Sequence, residues 1–155
     1  MRSVRTGLSQ PRLLLVIGLA IAVGTAYWRL DGTYSLTYVT GEDAINIAIS
    51  GIGPGEVKFF SYQDHAGEKI RFLLARDSTN RIHAAVDACK RCYTYHKGYS
   101  SSDGRLICRF CGNQYKLEAM EAGLASCVPV SLPFQMVGEA VRIATAELER
   151  EHRLF

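Results

Sequence analysis

The chain has 155 residues, 48% of them apolar and 21% charged, with a formal net charge of +3. That length suits one domain with some extra segment, and the apolar share is enough for a real core. Much of the positive excess sits at Arg2, Arg5 and Arg12. The rest of the chain shows no basic stripe of the kind a nucleic-acid partner requires, so no nucleic acid is expected.

The first element in chain order is an uncharged run, Leu13 to Trp28, reading LLLVIGLAIAVGTAYW. Arginines precede it and Arg29 follows it. The run is short beside the roughly 20 residues a spanning helix needs. Two readings of residues 1–29 compete. One is an uncleaved signal anchor, a single hydrophobic helix with Tyr27 and Trp28 at the far interface. The other is a cleaved signal peptide with Gly24 and Ala26 before the cut. A buried soluble helix leaves the arginine flank unexplained. Either main reading places residues 30–155 outside the cytoplasm, because the arginines stay inside.

Residues 30–88 read as β-rich. Tyr34–Val39 is a predicted strand. Ile45, Ile47 and Ile49 alternate with Asn46, Ala48 and Ser50, a period-2 pattern. Gly51-Ile52-Gly53-Pro54-Gly55 breaks the chain. Val57–Tyr62, Ile70–Ala75 and Arg81–Val86 follow as strands, separated by turns at Gly67 and at Asp77-Ser78-Thr79-Asn80. Strands at this spacing predict a mainly β fold, a small antiparallel sheet or barrel.

Residues 89–133 carry all five cysteines: Cys89, Cys92, Cys108, Cys111 and Cys127. The first four read C-x2-C-x15-C-x2-C, a spacing that brings four thiolates to one soft metal centre. Cys89, Cys92, Cys108 and Cys111 are therefore the expected metal ligands. Cys127 stands open as a fifth ligand, a replacement ligand or a plain buried thiol. Gly112, directly after Cys111, permits a turn with positive φ that aims amides at sulfur. Lys90, Arg91, Lys97 and Arg109 surround the pairs and are expected to favour thiolate. Arg105–Ile107 and Gln114–Leu117 are short strands flanking the second pair. Residues 134–155 read as a hairpin, Phe134–Val137 with Val141–Ile143, and a short helix near Ala146–Glu151.

Four thiolates select zinc, iron or an iron–sulfur cluster by softness, and spacing does not separate these. A c-type haem is excluded, because Tyr93 and Gly112 stand where a histidine is needed. A thioredoxin-like dithiol lacks the βαβ surroundings it requires. Thiols outside the cytoplasm oxidise unless something protects them, and metal ligation does so. His83 reads as a structural histidine in a strand, and His96 as a loop residue. No nucleophile–base order, phosphate loop or HExxH is present, so no organic-substrate enzyme is expected.

The run from Val57 to Cys127 resembles the FtrD-like bacterial family described as membrane iron–sulfur-containing. The resemblance rests on the Phe59-Phe60-x-Tyr62 strand, the Arg76-Asp77-Ser78 turn, the Asp87-Ala88-Cys89-x-x-Cys92 entry, Gly98-Tyr99, and Cys108-x-x-Cys111-Gly112. It implies Cys89, Cys92, Cys108, Cys111 and Cys127 as cofactor-binding residues, with an iron–sulfur cluster or Cys-bound iron as the cofactor. The family pattern has glycines before the last cysteine and asparagine after it. Here those places hold Ala125-Ser126 and Val128. The resemblance also implies a protein of the bacterial cell membrane with its bulk on the periplasmic side. It implies electron transfer or metal handling beside an integral-membrane iron-uptake permease or redox partner. Larger family members carry many spans, whereas this chain has one at most. A structural zinc scaffold of a membrane complex and a thiol–disulfide oxidoreductase are the alternatives.

Overall fold

The computed structural model describes residues 34–120 and 127–155. The hydrophobic segment expected in residues 1–29 lies outside them. Among the described residues, no helix is long and apolar enough to cross a membrane.

The expected β-rich body is present, arranged as three sheets among the described residues rather than one sheet or barrel. The largest has five strands: β1 (Leu36–Val39), β3 (Val57–Gln63), β4 (Lys69–Arg76), β5 (Ile82–Cys89) and β9 (Pro129–Ser131), in that spatial order. Its pairings are antiparallel except for β1 on β3, which run parallel. The second sheet joins β2 (Ala44–Ala48) to the hairpin of β10 (Gln135–Val137) and β11 (Ala140–Ala144). The third is a small meander of β6 (Tyr99–Ser102), β7 (Arg105–Cys108) and β8 (Gln114–Lys116). A short helix, Thr145–Glu149, follows β11 directly.

Side-chain alternation along the large sheet explains where the cysteines go. Successive residues of a strand point to opposite faces. On β4, Ile70, Phe72 and Leu74 enter one core, while Leu73 and Ala75 enter another. On β5, Ala84, Val86 and Ala88 join the first core, and Ala85 and Cys89 the second. The first core is closed by the second sheet. There Ile45 and Ile47 lie opposite Ile143 and Val141, and Leu148 of the helix packs with them. Burying side chains such as these contributes about 1.5–3 kcal/mol each. The second core, on the other face, contains Cys89, Cys92, Cys108 and Cys127 together with Tyr99, Leu106 and Tyr115.

The Arg76-Asp77-Ser78 turn is built around a fully buried carboxylate. Asp77 Oδ1 accepts the Thr79 and Arg81 amides at 2.8 and 2.9 Å and the Thr79 hydroxyl at 2.7 Å. Its Oδ2 faces His83 Nε2 at 2.9 Å, so His83 has the structural role expected of it. The Ser78 hydroxyl donates to Glu118 at 2.6 Å, tying this turn to the segment after the second cysteine pair.

Candidate metal centre

Cys89 ends β5, and the chain turns so that the Cys92 amide donates to the Cys89 carbonyl at 3.1 Å. A 3-10 turn at Tyr93–Tyr95 follows and ends at His96 with φ 50°. The second pair repeats the device at the end of β7. The Gly112 amide donates to the Cys108 carbonyl at 2.9 Å, and the Cys108 amide to the Asn113 carbonyl at 2.9 Å. Gly112 has φ +73°, the positive value expected at this position. The Arg109 amide donates to the Gly98 carbonyl at 3.0 Å, which ties the two knuckles together.

Cys127 arrives from another direction. β9 pairs with β5 so that Pro129 lies opposite Cys89, and this long-range pairing sets Cys127 beside the first knuckle. The Sγ atoms of Cys89, Cys92, Cys108 and Cys127 all lie within 4.8 Å of one another, and all four residues are buried. Cys111 is exposed, yet its Sγ is 3.2 Å from that of Cys127, and Cys127 is 3.4 Å from Cys89. The geometry thus draws the five sulfurs together but orders them differently from their spacing. Cys108 points inward, Cys111 outward, and Cys127 completes the tight group. No ligand contact of His96 emerges: its ring is outside the sulfur group, and its carbonyl accepts from Arg71 at 3.1 Å.

The electrostatics follow from burial and from sulfur beside sulfur. Burial pushes the Cys92 thiol up, and the adjacent Cys89 adds to it. Cys111 is also shifted up, by desolvation first and by the Cys127 and Cys108 sulfurs next, against the pull of the Asn113 amide. For Cys127 burial again opposes ionisation. The neighbouring Cys111, Tyr115, Cys89 and Cys92 groups favour its thiolate, outweigh that and hold it down to about 7. Lys90, Arg91, Lys97 and Arg109 are exposed and are not among the leading causes of these shifts, contrary to the expectation from sequence.

Two tyrosines complete the pocket. The hydroxyls of Tyr99 and Tyr115 are buried with no partner of their own. Burial raises both, and the next causes are the Cys89 and Cys127 sulfurs respectively. A buried hydroxyl without an acceptor is costly, and an electron-rich metal thiolate is an acceptor it can use. The donor set therefore fits a thiolate-bound metal on two counts: four clustered sulfurs, and unpartnered buried hydroxyls in the same core.

Asp87, quoted in sequence only as part of the entry to the first pair, supports both knuckles. It is fully buried and accepts the Tyr99 amide at 2.6 Å and the Tyr34 hydroxyl at 2.7 Å, with Arg71 Nε at 4.0 Å. Tyr99 opens β6 and lies opposite Cys108, while Asp87 lies two residues before Cys89. One carboxylate thus spans the strand that ends in the first pair and the hairpin that carries the second. Burial raises its pKa, and the Tyr34 and Tyr99 hydrogen bonds act against that. The available sequence signal was a lone carboxylate among the apolar residues that lead β5 into Cys89.

At the tips of the knuckles, Tyr95 and Phe110 stack at 3.7 Å between centroids, both exposed. They are the outer wall of the site.

A family model described as membrane iron-sulfur containing protein FtrD-like matches residues 52–155. The match takes in the Val57–Cys127 run and continues to the C-terminus. No curated protein matches the chain. Among solved structures, a quaternary ammonium Rieske monooxygenase studied for carnitine oxidation by gut microbiota is 15% identical with a TM-score of 0.44, over 66% of this chain and 30% of that one. The quaternary ammonium Rieske monooxygenase CntA bound to an inhibitor is 15% identical with a TM-score of 0.45, over 68% and 32%. The chain thus spans about a third of those structures, and likenesses this distant carry over no residue role.

Proposed function

We propose that this chain, which belongs to the FtrD-like family of membrane iron-sulfur containing proteins, binds iron through its clustered cysteines and passes electrons or metal to a membrane partner. The observation that carries this reading is the group of four buried Sγ atoms within 4.8 Å of one another. Cys89, Cys92, Cys108 and Cys127 would hold the centre, with Cys111 at its solvent edge. The bound centre would supply one-electron chemistry at a buried position, of the kind thiolate-held iron provides. The chain's own residues do the rest. Asp87 fixes the two knuckles relative to each other. The unpartnered hydroxyls of Tyr99 and Tyr115 would donate to the metal-bound thiolates, and hydrogen bonds to sulfur are among the levers that set a reduction potential. Tyr95 and Phe110 cover the knuckle tips.

The finer parts of the reading go beyond the family description, which gives only a membrane iron-sulfur containing protein, and follow from the sequence resemblance and the N-terminal run. They are a periplasmic position, an anchor in residues 1–29 and a membrane permease of an iron-uptake system as partner. A second reading is favoured by one feature. Four sulfurs around a single tetrahedral ion with metal–sulfur bonds of about 2.3 Å stand ~3.8 Å apart, well inside the observed spread, a geometry that one zinc ion in a scaffold satisfies as well as one iron ion does.

Anaerobic purification followed by metal and acid-labile sulfide analysis tests the proposal. Iron with a visible absorption that bleaches on reduction is expected. Stoichiometric zinc in a colourless protein would replace it with the scaffold reading. Protein without metal would overturn both.

A further inference from the structure

Five sulfurs meet where a tetrahedral site uses four, and the surplus one is at the surface. Of the five cysteines only Cys111 is exposed. Its Sγ lies 3.2 Å from that of Cys127, although the two are 16 residues apart in sequence. A disulfide needs about 2.05 Å between sulfurs, so closure asks for a movement of roughly 1 Å. The loop can supply it. Arg109, Phe110, Cys111 and Gly112 are all exposed, and a Cβ built on Gly112 would meet nothing within 4 Å. The other knuckle offers no such access, since Cys89 and Cys92 are both buried.

We propose that Cys111 and Cys127 are a redox-active dithiol, oxidised by small-molecule or protein disulfides that reach the site through Cys111. The Cys111 thiol attacks one sulfur of the incoming disulfide. That bond breaks, one thiol departs with the proton Cys111 gives up, and a mixed disulfide remains on Cys111. Cys127 then attacks the Cys111 sulfur, the mixed disulfide breaks, and the second thiol departs with the Cys127 proton. The protein pair loses two electrons and two protons, and the oxidant gains both. Oxidation takes Cys127 away from Cys89, Cys92 and Cys108. This last consequence rests on the metal reading above, and it makes Cys111 a sensor that releases the metal when the surroundings turn oxidising.

The test begins with the reduced, metal-free full chain exposed to oxidised glutathione. Free thiols are then alkylated and disulfides mapped by mass spectrometry. The expected product joins Cys111 to Cys127 and leaves Cys89, Cys92 and Cys108 alkylated. Predominant Cys89–Cys92 or Cys108–Cys111 linkage, or no internal disulfide, would overturn the proposal, whether or not the chain binds metal. In the metal-loaded protein, Cys111→Ser should retain the metal and lose its release by oxidised glutathione. Release from Cys111→Ser at the wild-type rate would also overturn it.

Discussion

Removing the Asp87 acceptor should loosen the two knuckles together. In Asp87→Ala the Tyr99 amide, donating at 2.6 Å inside the core, loses its carboxylate acceptor, and the Tyr34 hydroxyl loses its 2.7 Å contact. A hydrogen bond contributes about 0.5–1.5 kcal/mol net, and an orphaned buried donor costs about 1–3 kcal/mol. Part of the Tyr34 loss is recovered by water, and the carboxylate's own desolvation, which raises its pKa, is relieved. The net expectation is a loss of about 3 kcal/mol, roughly a hundredfold in the folded-to-unfolded ratio. Asp87→Asn keeps an acceptor for Tyr99 and can face Tyr34 with its amide. It also resembles the neutral form that burial favours. The sign supports this choice. A raised folded pKa means stability from this group is fully present below its ordinary value of 3.8 and is lost as pH rises through the folded value. Asp87→Asn should therefore stay within ~1 kcal/mol of the parent. Urea unfolding of the metal-free proteins measures the difference, and metal content after gel filtration reads the site. An alanine variant as stable as the parent, or an asparagine variant as weak as alanine, would refute the reasoning.

Gly98→Ala should damage the same latch from the other side. Its Cβ would lie 2.6 Å from both Asp87 carboxylate oxygens, at a residue with φ +65°. Loss of soluble, metal-retaining protein is expected, and normal yield with normal metal content would count against the role given to Asp87. Asp77 is held below its ordinary value of 3.8: burial opposes this, but the bonds from His83, Thr79 and Arg81 prevail. Its stabilisation is thus present above that value and lost as pH falls below it, and Asp77→Asn should flatten the acid limb of the stability–pH curve. An unchanged acid limb in thermal melts would show that the turn does not depend on this charge. Tyr115→Phe should keep the metal and move the reduction potential negative, because a buried hydroxyl that would donate to the metal-bound thiolate is removed. Voltammetry showing an unchanged potential would place the hydroxyl outside the sulfur's influence.

Much of the fold was legible because alternation is a local property. Ile45 and Ile47 read as a half-buried strand and are one, opposite Val141 and Ile143 of the hairpin expected near the C-terminus. The cysteine-bearing core was legible as a cluster, since each C-x2-C pair is local. β6 was missed because Ser100, Ser101 and Ser102 carry no apolar pattern, and β9 because it opens on Pro129 and holds three residues. The parallel contact of β1 with β3 depends on a distant pairing that no local signal announces. The ordering of the sulfurs failed to show for the same reason. Spacing says that Cys108 and Cys111 are neighbours, not which one points inward. The position of Cys127 is set by β9 on β5, a register formed across 40 residues between Cys89 and Pro129. Asp87 was visible as an oddity, a charge in an apolar strand, but its partners Tyr34 and Tyr99 lie 53 and 12 residues away.

X-ray absorption at the metal edge of the loaded protein tests the central claim most directly. The account predicts four sulfur neighbours at about 2.3 Å, a shell that Cys111→Ser leaves intact and Cys127→Ser reduces. A shell containing nitrogen or oxygen in the parent protein, or one that Cys111→Ser disrupts while Cys127→Ser does not, would contradict it.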